Sequence, residues 1–276
     1  MPEGPEIWRV ARRLNEVLAG RVATAVEFGL DALKGAEPKL AGATIQGVRG
    51  RGKALLIDFD NGLHLYSHNQ LYGRWMVIEV GEQPAPTRRR LRVAIHVSTC
   101  DALLYSASDI AVLDDAGVAT HPFLSRLGPD LLAPETTEML VSSRLRDPRF
   151  RRRRLGGLLM DQGFVAGIGN YLRCEILFVC GLHPLTTPQS LDDDDCSRLA
   201  ATMLALPRQS AETGGVTNDL ARYARLRDAG LSFEQARFHV FRRDGDACYR
   251  CGMAIVKARA GGQPCYLCPA CQRREA

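Results

Sequence analysis

Apolar and polar positions follow three successive rhythms along this chain of 276 residues. In PEIWRVARRLNEVL, residues 5–18, the apolar positions 7, 10, 11, 14, 17 and 18 recur at helical spacing, with Pro5 and Glu6 suited to a first turn. From there to about residue 113 the period shortens. ATIQGVRG, KALLIDF, LHLYSH, RWMVIEV, RVAIHV and ALLYSA are short alternating or β-branched runs divided by Gly, Pro, Asn and Asp. They predict an antiparallel sandwich or barrel. Breaks at Pro122, Gly128 and Pro129 place the end of a first domain near residue 130. Helical spacing returns from about residue 135, in ETTEMLVSSRLR, RRLGGLLMDQGFV, NYLRCEILFVCG and LDDDDCSRLAATMLAL. After residue 237 the chain is short-patterned, basic and rich in cysteine. The fold class is α+β and multidomain.

Composition fits this reading: 46% hydrophobic and 24% charged residues describe a globular chain with room for two ordinary cores. No apolar run reaches the roughly 18 residues of a membrane span, and no leader pattern opens the chain. Nine cysteines in that setting point to a reducing interior, where thiols serve metal binding or packing. The net charge of +5 is unevenly spread: residues 222–276 hold 11 Lys/Arg against 5 Asp/Glu. Arginines also cluster at 88–90 and 149–154. Such clusters fit a polyanion surface, with a merely solvated face as the alternative. The acidic run at residues 192–195 reads as a helix first turn, where carboxylates favour the dipole, rather than as a metal site.

The strongest chemical signal is in the tail. Cys248 and Cys251 form one CxxC, and after sixteen intervening residues Cys268 and Cys271 form another. Two such pairs can set four thiolates at the corners of a tetrahedron, as one structural zinc ion requires. An iron–sulfur centre also accepts four thiolates and is left open by spacing alone. All four ligands would be protein, leaving no open position for catalysis. Cysteines 100, 174, 180, 196 and 265 read as buried small apolar residues.

Several stretches then match one family in order: PEGPEI (2–7), RGKALL (51–56), YSHNQLYGRW (66–75), LYSASD (104–109), HPFLSRLGPD (121–130), GIGNYLRCEIL (167–177) and FRRDGDACYRCG…CPAC (241–271). Together the chain resembles the bacterial endonuclease VIII branch of the formamidopyrimidine-DNA glycosylase family. That resemblance implies an N-terminal helix and β-sandwich domain (1–130), a helix–two-turns–helix DNA-binding domain (131–236) and a C-terminal zinc ribbon (237–276). It also implies that Pro2, exposed by removal of Met1, attacks C1′ of a damaged nucleotide. An α-amine titrates near 7.7–8.0 and lysine near 10.4, so at neutral pH the terminal amine is neutral a few hundred-fold more often.

By the same resemblance, Glu3 and Lys53 move protons, and Glu6 helps set the protonation of Pro2. Glu6 reads equally as an ordinary first-turn acid. Gln70, Leu71 and Tyr72 would fill the gap left by a base swung out of the duplex, which costs a few kcal/mol to unstack. Arg126 and Asn170 would contact DNA, with free backbone N–H groups around Asn170 holding a phosphate. One position departs from the family: Gln263 stands where an arginine usually clamps the phosphates beside the flipped nucleotide. Glutamine donates a hydrogen bond but makes no charged bidentate clamp. Arg259 is a nearby candidate to replace it.

The implied function is excision of oxidised pyrimidines and strand cleavage by β,δ-elimination. A purine-preferring relative, or a protein that binds abasic sites or lesions with impaired catalysis, are the alternatives. The expected partner is damaged double-stranded DNA, with no membrane and no small-molecule cofactor. A monomer in the bacterial cytoplasm is expected.

Overall fold

The computed structural model describes residues 2–82, 84 and 86–273. The described residues divide into two compact units: those of 6–126 together with Pro2, and 127–273 together with Glu3–Pro5.

In the first unit, α1 (Gly4–Leu18) is followed by β1 (Ala25–Phe28), a short α2 (Glu37–Leu40) and strands β2 (Ile45–Arg51), β3 (Ala54–Phe59), β4 (His64–His68), β5 (Arg74–Glu79), β6 (Leu91–His96), β7 (Cys100–Tyr105) and β8 (Asp109–Leu113), then α3 (Asp115–Thr120). The strands form two four-stranded antiparallel sheets, ordered β1-β6-β7-β5 and β2-β3-β4-β8. Alternation sorts their side chains. Val93 and Ile95 join the main core, while Ala94 joins a second cluster with Leu103 and Tyr105. Ile7, Leu14 and Leu18 of α1 pack into the same main core as Leu55, Ile57, Leu65 and Leu104. Asn15 ties the helix to β2, its Oδ1 accepting from the Val48 N–H at 2.8 Å. This unit is the β-sandwich. The short strands β1 and β8 had no separate signal in the pattern.

The second unit holds α4 (Glu138–Arg146), α5 (Leu155–Leu158), α6 (Asn170–Cys180), α7 (Asp193–Glu212), α8 (Leu220–Asp228) and α9 (Phe233–Ala236), then a hairpin of β9 (Val256–Ala260) and β10 (Gln263–Leu267). Leu145, Phe164, Leu172, Ile176, Leu199 and Met203 share its core. Truncating one of these to Ala costs about 2–5 kcal/mol. The acidic run opens α7: the Asp192 side chain caps it by accepting from the Asp195 N–H at 2.7 Å. RRLGGLLMDQGFV differs from its helical reading, because only Leu155–Leu158 is helical. Beyond it the Gln162 side chain gathers a loop, donating to Met160 O and Ile168 O and accepting from the Gly167 N–H. Among the described residues, no helix is long and apolar enough to cross a membrane.

Candidate active site and nucleic-acid interface

Glu3 is three residues from the chain start and yet only 3% exposed. Its carboxylate sits at the start of α6, accepting N–H bonds from Gly169 (2.7 Å), Tyr171 (2.8 Å) and Leu172 (3.2 Å). A helix start leaves such donors unpaired, and its dipole favours an anion there. Glycine is required at 169, since a Cβ would lie 2.3 Å from the Glu3 carboxyl carbon. Gly4 N–H adds a bond to Gly167 O at 2.8 Å. The expectation of free amides for a phosphate is therefore corrected: Glu3 occupies them. Asn170 is the first helical residue, and its Oδ1 accepts from Arg173.

Pro2 is half-buried, immediately before this anchored pair. Met1 lies outside the described residues. Glu6, in the first turn of α1, pairs with Arg9 at 3.2 Å. Lys53 follows Gly52 in the β2–β3 turn and is buried, at 6% exposure. Burial chiefly pushes the His68 imidazole to a lower pKa; the Lys53 charge adds to this and Asp109 opposes it. Tyr66 donates to Asp109 at 3.2 Å, and its ring lies 4.2 Å from that of His121. Sequence reasoning overlooked His68, Tyr66 and Asp109, although the first two stand inside the quoted YSHNQLYGRW block.

Gln70, Leu71 and Tyr72 occupy the turn between β4 and β5. Gln70 has φ +49°, and its side-chain oxygen accepts from Ser108 at 2.9 Å. Leu71 and Tyr72 are 61% and 68% exposed, side by side at the tip of the turn. Such projecting groups can enter another molecule's stack. Arg126 closes a short 3₁₀ turn and is exposed, its Nε donating to Pro122 O.

The hairpin tip is a two-residue turn, Gly261-Gly262, with φ +56° and +78°. Both signs are those of the tight hairpin turn that favours glycine. Gln263 is exposed at the start of β10, opposite Ala260. Arg259 pairs with Pro264, so its side chain leaves the ribbon on the other face. It does not stand in the place of Gln263, and its guanidinium donates to Gly262 O at 3.3 Å.

Below the hairpin, the sulfur atoms of Cys248, Cys251, Cys268 and Cys271 all lie within 4.8 Å of one another. Two of the separations are 3.4 Å (Cys251–Cys268) and 3.9 Å (Cys248–Cys271). Four thiolates about 2.3 Å from a tetrahedral ion would stand about 3.8 Å apart, so the cluster fits a metal ion. Backbone N–H groups of Arg250 and Cys271 point at the Cys248 and Cys268 sulfurs. Cys265 is not part of this group. It is buried 3.9 Å from Cys174, whose S–H donates to it; that bond chiefly lowers the Cys265 pKa to about 7.

Comparison with known proteins agrees with the geometry. Residues 1–109 match the formamidopyrimidine-DNA glycosylase N-terminal domain and residues 127–221 the formamidopyrimidine-DNA glycosylase H2TH domain. The chain is 46% identical over 272 residues to Endonuclease 8 of Escherichia coli O17:K52:H18, covering 99% of this chain and 100% of the relative. Endonuclease 8 of Salmonella paratyphi A is 46% identical over 273 residues, with the same coverage. In fold it is similar to Lactococcus lactis formamidopyrimidine-DNA glycosylase bound to DNA containing an AP site (TM-score 0.80, 21% identity, 99% and 100% of the two chains). A MutM structure with carbocyclic 8-oxo-G DNA is similar to the same degree (TM-score 0.80, 22% identity, 99% and 100%). With two domains matched in order and near-half identity to Endonuclease 8 over its whole length, this chain belongs to the formamidopyrimidine-DNA glycosylase/endonuclease VIII family.

Proposed function

We propose that the chain is a bifunctional DNA glycosylase/AP lyase of base excision repair that removes oxidised pyrimidines from duplex DNA. Family membership supplies the reaction class. The observation that carries the mechanism is the anchoring of Glu3: a dispensable tail would have no reason to bury a carboxylate on three backbone amides directly behind Pro2.

In this reading the Pro2 secondary amine attacks C1′, a C–N bond forms, and the bond to the damaged base breaks with a proton delivered to the leaving group. Ring opening leaves an iminium that is positively charged without a proton. It draws electrons from C2′, so loss of the 2′ proton expels the 3′ phosphate, and a second elimination expels the 5′ phosphate. Glu3 and Lys53 are the proton carriers, a role worth about 10²–10⁴ in rate. Glu6 tunes Pro2. Leu71 and Tyr72 fill the vacated stack with Gln70 meeting the opposite base, while Arg126, Asn170 and Gln263 contact the DNA strand. Cys248, Cys251, Cys268 and Cys271 would hold one zinc ion, which would supply a structural tie between the two CxxC pairs and no chemistry of the reaction. Native mass spectrometry should find one zinc per chain. We assign residues 1–130 to catalysis, 131–236 to DNA binding and 237–276 to the zinc ribbon, and place the monomeric enzyme in the cytoplasm.

Borohydride trapping tests this on duplexes carrying an abasic site or an oxidised pyrimidine, with Pro2→Gly alongside. A covalent adduct on both, strongly reduced in the variant, is the expected result. Gln263 favours a second reading, a protein with impaired base release. Trapping on the abasic site alone would select that one, and trapping on oxidised purine in preference to pyrimidine would move the substrate class.

A further inference from the structure

Arg173 is fully buried, and among the described residues every hydrogen-bond acceptor its guanidinium meets is a neutral oxygen. One terminal nitrogen donates to Gly156 O (2.9 Å) and Ala260 O (2.7 Å), the other to Pro264 O (2.7 Å) and Asn170 Oδ1. Its Nε is buried with no hydrogen-bond partner among the described residues. Buried charges are ordinarily paired with an opposite charge, because desolvation costs several kcal/mol per ion. Here the hydrogen-bond acceptors are neutral oxygens, and the titratable groups its charge acts on are the neighbouring Cys174 and Cys265 thiols.

We infer that Arg173 is a positioning residue for a DNA phosphate, turning the Asn170 amide donor outward and setting the hairpin tip that carries Gln263. This deepens the proposed function and rests on it. Three points on the structure carry it. A guanidinium has donors and no acceptor, so the Asn170 atom facing it must be Oδ1. The Asn170 NH₂ group therefore faces away from Arg173, as a donor to an anion. Second, Ala260 and Pro264 flank the Gly261-Gly262-Gln263 tip, so the same guanidinium that orients one amide also fixes the backbone beneath the other. Third, the two outward amides are neutral, and the charge that would attract a phosphate lies behind them. Where the family's exposed arginine has become Gln263, Arg173 leaves the site with a fixed positive charge screened little by solvent.

The test measures binding of a duplex containing a tetrahydrofuran abasic analogue by wild type, Arg173→Lys, Asn170→Ala and the double variant, each checked for a cooperative melt and bound zinc. Lysine keeps the charge and loses the planar fork. Each single variant should bind about tenfold more weakly, the cost of one hydrogen bond to an ionised group. The double variant should lose far less than the product of the two, because Arg173 acts through Asn170. A full multiplicative loss, or wild-type binding by Arg173→Lys, would overturn the inference alone. Wild-type protein that ignores the abasic duplex would overturn it together with the proposed function. If Arg173→Lys does not melt cooperatively, Asn170→Asp decides. An oxygen in place of the outward donor should bind at least tenfold more weakly than Asn170→Ala, and equal binding by the two overturns the inference.

Discussion

Helix α6 is served by two buried carboxylates, one from the far end of the chain and one of its own. Glu3 accepts the N–H groups of Gly169, Tyr171 and Leu172 at the helix start. Glu175, from the helix itself, accepts those of His239, Val240 and Phe241 and the Thr217 hydroxyl. Both are almost fully buried, and each satisfies backbone donors that would otherwise cost about 1–3 kcal/mol apiece. What differs is the covalent neighbour. Glu175 is flanked by buried Cys174 and Ile176, so its hydrogen bonds end in the fold. Glu3 is bonded to half-buried Pro2, so the same device fixes the position of an amine. Burial and bond count are alike for the two carboxylates; the proposed catalytic role of Glu3 rests on the residue it holds in place.

Four experiments would break or sharpen this contrast. The largest effect belongs to Glu3→Gln, which should slow single-turnover release of an oxidised pyrimidine at least about 100-fold. Binding to the abasic analogue should stay within a few fold, and an excision rate near wild type would erase the distinction. Gly169→Ala comes next. Its methyl must displace the Glu3 carboxyl, so excision should fall about tenfold or more, with Pro2, Lys53 and the four clustered cysteines untouched. Glu175→Gln should do the reverse. Urea unfolding should show a loss of about 1–3 kcal/mol, while the excision rate per folded molecule stays within about threefold.

The smallest effect is in pH. Burial chiefly holds the His239 imidazole below its ordinary pKa of 6.5, against an upward pull from Glu175. The unfolded chain then binds a proton that the folded one does not. Stability is fully present above the ordinary value and falls as pH drops toward the depressed one. Urea midpoints at pH 7.5 and 5.5 should show that fall. It should be larger in Glu175→Gln, which removes the upward pull.

The repeating part of the molecule was legible in the chain and the connecting part was not. Ile7, Ala11, Leu14 and Leu18 mark α1 by spacing alone, and the CxxC pairs mark the sulfur cluster, because both signals are local. RRLGGLLMDQGFV misled because burial continues past its short helix: Phe164 and Val165 are buried like the helical Leu155 and Leu158, but the Gln162 side chain, rather than a helix ladder, gathers the backbone around them. The partner of Glu3 lies 166 or more residues away, a separation no periodicity registers. Arg173 was inside the quoted GIGNYLRCEIL block. Its role depends on a hairpin nearly ninety residues later, which only the folded chain brings to it.

The long reach of Glu3 also has a consequence in time. During synthesis the three amides that the Glu3 carboxylate accepts from are not available until Leu172 has left the ribosome. At about 5–20 residues per second that is roughly 10–30 s of growth. Capping of α6 and fixing of Glu3, 166 or more residues apart in the chain, are therefore one late event in its growth.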